Sequence, residues 1–153
     1  MPRFLTEHFT LEELISSQVA ARKNIDNSPP TAVSKNLKLL AALLEDIRTL
    51  LGNHPVVVSS GYRCPALNQE VGGALNSYHM DGLAADFTVP SYGTPLQTAR
   101  AIASSGIVYD QLIHEFGTWV HIGLPRAGAD PRHENLSIFS GSGSINGLVG
   151  KPR

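Results

Sequence analysis

The chain has 153 residues, 42% of them hydrophobic, which suffices for one compact core and falls short of two ordinary domains. Its 12 basic and 13 acidic residues leave a net charge of -1, so no global field draws it to nucleic acid or to an anionic membrane, and any partner must be recognised locally. The single cysteine, Cys64, rules out an internal disulfide and a Cys-rich structural metal site.

The opening Met1-Pro-Arg-Phe-Leu-Thr-Glu-His8 lacks the apolar core of a signal peptide, and no run is long enough to span a bilayer. The expectation is synthesis in the cytoplasm without membrane insertion. Thr10-Leu-Glu-Glu13 fits a capping box and predicts a short helix over residues 11–21. Asn24-Ile-Asp-Asn-Ser-Pro-Pro30 reads as a loop. From Thr31 a second helix is expected, because Val33, Leu37, Leu40, Leu44, Ile47 and Leu51 recur at steps of four and three on one apolar stripe. Gly52-Asn-His-Pro55 ends it, and Val56-Val-Val58 suits a short buried strand that runs straight into Ser59-Ser-Gly-Tyr-Arg63.

A helical turn over residues 68–74 would close at Gly72-Gly73, and a strand over 84–89 would follow the Asp81-Gly82 turn. Thr94-Pro95 supplies a cap and a first-turn proline for a helix that Gly106 stops. Residues 109–116 and 119–124 read as strands joined by a Gly117-Thr118 hairpin turn. Beyond Pro125, Gly, Ser, Pro and Asn dominate, so a loop-rich tail from about residue 125 is expected within a single domain over residues 1–153.

His79 and Asp86 have six residues between them, so they cannot share one helical face and must converge through the Asp81-Gly82 turn. His121, between Val120 and Ile122, offers a third ligand from a neighbouring strand. Two neutral imidazoles and one carboxylate are the ligand count of a catalytic zinc site with a fourth position open. Singly, each residue is better accounted for as a loop histidine, a turn or capping aspartate, and a core histidine beside Trp119. Together they make a complete site, and spacing alone leaves the two readings balanced. Non-haem iron oxygenases also use two histidines and a carboxylate, but their usual His-X-Asp/Glu spacing is absent, so zinc is preferred.

At these residues the chain resembles the M15 peptidase family, the zinc D-Ala-D-Ala carboxypeptidases and related peptidoglycan endopeptidases, bacteriophage endolysins among them. The matching stretches are Ser59-Ser-Gly-Tyr-Arg63, Val71-Gly-Gly-Ala74, Ser77-Tyr-His-Met-Asp-Gly-Leu-Ala-Ala-Asp86 and Trp119-Val-His-Ile122. Phe9-Thr-Leu-Glu-Glu-Leu14 and Ile25-Asp-Asn-Ser-Pro-Pro30 look like the small phage and bacterial branch, while the tail is uncovered. The resemblance implies an α+β fold in which a small antiparallel sheet carries the zinc site and packs with helices, as in hedgehog-like and D-Ala-D-Ala peptidase-like folds. It implies Zn2+ held by His79, Asp86 and His121, with Arg63 facing a peptidoglycan stem peptide and Ser77 supporting the site. The activity implied is hydrolysis of stem or cross-link peptide bonds, as a carboxypeptidase or murein endopeptidase, in a lysis enzyme or virion component that reaches the cell wall after release.

Many family members carry an acid three positions before the last histidine, where this chain has Thr118. Glu115 is the nearest acid and the candidate catalytic base. A two-residue Gly117-Thr118 turn would set His114 opposite His121, whereas a three-residue loop or a bulge at Gly117 would set Glu115 there. A carboxylate can take a proton from water and pass it to a leaving amine, which favours Glu115. The rival expectations are a metal-bearing cell-wall or protein-binding module of the same fold without turnover, and a metal-free scaffold. Cys64 is expected as a small packed side chain, and Asp81 as a turn residue.

Overall fold

The computed structural model describes residues 2–152. Thr10 caps the first helix, α1 (Leu11–Ile15): its hydroxyl accepts the Glu13 N–H at 3.2 Å and the Glu13 carboxylate accepts the Thr10 N–H at 2.8 Å. The helix expected over residues 11–21 is in fact two. Ser16 turns extended, and the Ser17 hydroxyl takes the Ala20 N–H to start α2 (Gln18–Lys23), so a serine side chain competes with the helical ladder and interrupts it.

α3 (Thr31–Leu50) is the long core helix, and Leu37, Leu40, Leu44 and Ile47 of its stripe are fully buried. Each such side chain contributes ~1.5–3 kcal/mol relative to exposure. The remaining elements are β1 (Val57–Ser60), α4 (Pro65–Glu70), a 3-10 turn (Tyr78–Asp81), β2 (Ala84–Thr88), α5 (Pro95–Ala103), β3 (Gln111–Glu115), β4 (Trp119–Gly123), β5 (Glu134–Phe139) and β6 (Gly143–Asn146). Together they form an α+β fold with one six-stranded sheet in the order β1-β2-β4-β3-β5-β6. Among the described residues no helix is long and apolar enough to cross a membrane.

Three departures from expectation have physical causes. β1 is an edge strand with alternating burial rather than a buried one, and Val57 is 52% exposed. α4 begins at Pro65, earlier than the turn expected at residues 68–74, because Cys64 caps it: its Sγ accepts the Leu67 N–H at 3.4 Å. The tail is part strand. β5 lies parallel to β3 and β6 pairs antiparallel with β5, so the sheet is mixed where an antiparallel one was expected.

Candidate metal centre

Asp86 sits in β2, a strand buried along almost its whole length between β1 and β4. Its direct cross-strand partner on β4 is His121, which brings the two side chains together. His79 comes from the 3-10 turn. Ser77 starts this turn by accepting the His79 N–H at 3.2 Å, and Gly82 closes it at φ +72. Helix α3 backs the turn, since Asn36 donates to the Asp81 carbonyl at 2.8 Å and a Cβ on Gly82 would stand 2.8 Å from Val33 Cγ1.

The three ligating atoms lie within 4.8 Å of one another. His121 Nδ1 is 2.9 Å from Asp86 Oδ1, and His79 Nε2 is 3.3 Å from the same oxygen. A tetrahedral zinc with bonds of about 2.0–2.1 Å separates its ligand atoms by about 3.3 Å, so the two pairs that share Asp86 Oδ1 stand near the spacing such an ion requires. The other His79 nitrogen, Nδ1, is 2.7 Å from the Gly61 carbonyl, which can only accept, so Nδ1 carries the proton. His79 Nε2 is thereby a lone pair, buried and without a hydrogen-bond partner of its own. A buried polar atom left in this way is what a cation would satisfy.

Electrostatics favour the ligating forms. Burial pushes the His79 imidazole below its ordinary value, towards the neutral ring. Burial alone would raise Asp86, but the His121 and His79 rings beside it outweigh that and hold the carboxyl well below the usual aspartate range.

The hairpin expectation is corrected. The loop between β3 and β4 is Phe116-Gly117-Thr118, with both Phe116 and Gly117 at positive φ, and the register pairs Glu115 with Trp119 and Ile113 with His121. Neither Glu115 nor His114 is directly opposite His121. Glu115 lies on the metal face one diagonal step away, its Oε1 3.9 Å from His121 Nδ1. His114 faces the other side, where its Nδ1 meets the Val149 carbonyl at 3.1 Å and its ring packs edge-on to Phe139. The loop takes three residues because the Phe116 N–H goes to the Ile138 carbonyl of β5 at 2.7 Å, and a three-residue loop pairs Glu115 with Trp119, so that Ile113, and not Glu115 as expected, falls opposite His121. Burial first, then the negative charge of Asp86, pushes the Glu115 carboxyl above its ordinary value against the opposing pull of His121 and Arg63.

Arg63 follows β1, whose register slips by one residue between Val58 and Ser60 and so bends the chain towards the centre. Its guanidinium is fixed by the Ser60 hydroxyl and the Asn68 amide oxygen, each at 3.1 Å, and Nη2 lies 3.6 Å from Asp86 Oδ2. Cys64 is buried away from this chemistry, and Asp81 is tied to Arg126 at 2.6 Å. The centre opens into a cleft of about 1200 Å³ that crosses the sheet, with Arg22 and Leu67 on the β1 side and Gln111, Arg132 and Ile138 on the β5 side. Trp119 lines it next to Glu115.

Sequence reasoning missed several supporting groups: the Gly61 carbonyl, Asn68, Ser60, and the buried Asn27 described below. Backbone carbonyls and loop amides carry no periodic signal, so only the fold reveals them.

A buried cluster of two imidazoles and one carboxylate at the floor of a cleft, with a second carboxylate beside it, defines a metallohydrolase-type site. The chain matches the family described as Peptidase M15 over residues 7–123, and it belongs to that family. It is also similar to a zinc D-Ala-D-Ala carboxypeptidase of Streptomyces albus G, with 44% identity over 50 residues. That stretch is 33% of this chain and 20% of the relative, so the match spans about a fifth of the relative's length.

Proposed function

We propose that this metallopeptidase hydrolyses peptide bonds of the peptidoglycan stem or cross-link, with zinc held by His79, Asp86 and His121. The observation that carries this is the lone His79 Nε2, buried beside the Asp86 and His121 donors at the floor of an open cleft. The bound ion would supply Lewis acidity to a carbonyl and lower the pKa of water. Glu115 takes the proton from the attacking water and delivers it to the leaving amine; general acid–base transfer of this kind contributes about 10²–10⁴-fold. Arg63, anchored by Ser60 and Asn68, sets positive charge at the edge of the same centre, where the scissile oxygen becomes negative. Because the cleft continues on both sides of the metal centre, it accommodates an extended peptide. Its place of action is the cell wall, reached after release or as a virion component.

The test is digestion of purified muropeptides, monomeric and cross-linked, with and without a chelator, read by mass spectrometry. New termini that vanish on chelation and return with zinc are expected, and their position identifies the bond. Zinc-loaded protein that retains muropeptides without any change in their mass would instead make it a binding module.

A further inference from the structure

Asn27 lies in the loop between α2 and α3, only 9% exposed, and every hydrogen bond of its amide goes to backbone. Its Nδ2 donates to the Ile15 carbonyl at 2.9 Å and to the Tyr62 carbonyl at 3.0 Å, while Oδ1 accepts the Cys64 N–H at 2.8 Å. One planar group thus satisfies three backbone partners, two of them in buried bonds on the strap of residues 61–64. That strap also holds His79 twice: the Gly61 carbonyl accepts from Nδ1 at 2.7 Å, and the Arg63 N–H donates to the His79 carbonyl at 3.1 Å. A further bond, Tyr62 N–H to the Leu14 carbonyl at 2.8 Å, ties the strap to α1.

We propose that Asn27 is a positioning residue for the metal centre: by clamping the 61–64 strap it fixes the carbonyl that selects the His79 tautomer and aims Nε2 at the site. The inference rests on His79 being a metal ligand. No other side chain of similar size does the same work. Aspartate keeps the acceptor for Cys64 but turns a carboxylate on two carbonyls, and alanine leaves all three backbone groups without their partner. Groups that orient a ligating histidine typically govern about 10–100-fold in metal affinity.

Zinc affinity, measured by competition with a chromophoric chelator, is compared in the wild type, Asn27→Asp, Asn27→Ala and Thr94→Ala. The last removes the hydroxyl that caps α5 and touches neither the strap nor the site. Both Asn27 variants should lose about 10-fold or more in zinc affinity while keeping wild-type circular dichroism and a cooperative melt. Thr94→Ala should melt lower with unchanged affinity. A folded Asn27→Asp that binds zinc as the wild type does overturns the proposal. So does loss of cooperative folding in both Asn27 variants, which would make the residue a global rather than a positional one.

A second readout needs no metal. Long-range ¹H–¹⁵N spectra of the apo protein should show His79 as a single Nδ1–H tautomer, giving way to a mixture in Asn27→Asp; an unchanged tautomer in the variant refutes the clamp. Should the wild type take up no zinc, the metal-centre reading fails, and the tautomer spectra still decide the role of Asn27.

Discussion

Gly61→Ala is a perturbation of one methyl group whose effect can be followed atom by atom. A Cβ at this position would stand 2.2 Å from the Leu14 carbonyl oxygen, 3.0 Å from its carbon and 3.1 Å from its Cα. These are backbone atoms of α1 and cannot rotate away. Carbon–oxygen contacts settle near 3.3–3.6 Å, so strap and helix must separate by about 1 Å. The Gly61 carbonyl to His79 Nδ1 bond of 2.7 Å and the Tyr62 N–H to Leu14 bond of 2.8 Å cannot both survive such a move. Overpacking of this kind costs about 1–3 kcal/mol, or several degrees in Tm at about 2–4 °C per kcal/mol for a chain of this size. A 1 Å misplacement near a reacting centre lowers turnover by about 100-fold. The assay pairs a calorimetric melt with zinc titration and muropeptide turnover, with Gly106→Ala as reference, since a Cβ there meets nothing within 4 Å. Gly61→Ala with the Tm, zinc affinity and turnover of the wild type would refute the claim that this close approach aligns the ligand.

Two further outcomes follow from the same geometry. Glu115→Gln keeps the shape of the side chain and removes its basicity, so zinc content by elemental analysis should be unchanged while kcat falls by about 10²–10⁴-fold; undiminished turnover would remove Glu115 from proton transfer. Asp110 is buried and accepts from Arg132 Nε at 3.1 Å and Nη2 at 2.8 Å, which holds its carboxyl below the ordinary aspartate value. A depressed folded-state pKa stabilises above the unfolded value of about 3.9 and stops doing so as pH falls through the folded one. Asp110→Asn should therefore cost about 1–2 kcal/mol near neutral pH, a figure kept low because Arg132 is half exposed. That difference in urea denaturation should close as pH falls through the depressed folded-state value; a constant gap across the acid range would show that charge is not its source.

The long helix and the turn that joins His79 to Asp86 were legible because each depends on local pattern. The stripe from Val33 to Leu51 needs only the helical period, and His79 with Asp86 needs only a turn between a capped segment and a strand. The hairpin register was not legible, because it is fixed by β5. Ile138, far along the chain, takes the Phe116 N–H, and nothing within residues 109–124 announces that competitor. β5 itself hid among turn-forming residues, with burial only at Ser137 and Phe139. Asn27 read as an ordinary loop residue because its three partners are scattered over α1 and the strap after β1.

The family match ends at residue 123, yet the parallel neighbour of β3 begins at Glu134. A fragment cut at the end of the matched region would keep all three metal donors and still strip the strand bearing Glu115 of its outer partner. The bare rim would invite pairing between molecules, and Ile138 would be lost from the cleft wall. A fragment bounded by residues 7–123 would thus hold the donor cluster while lacking the strand that closes the sheet beside Glu115.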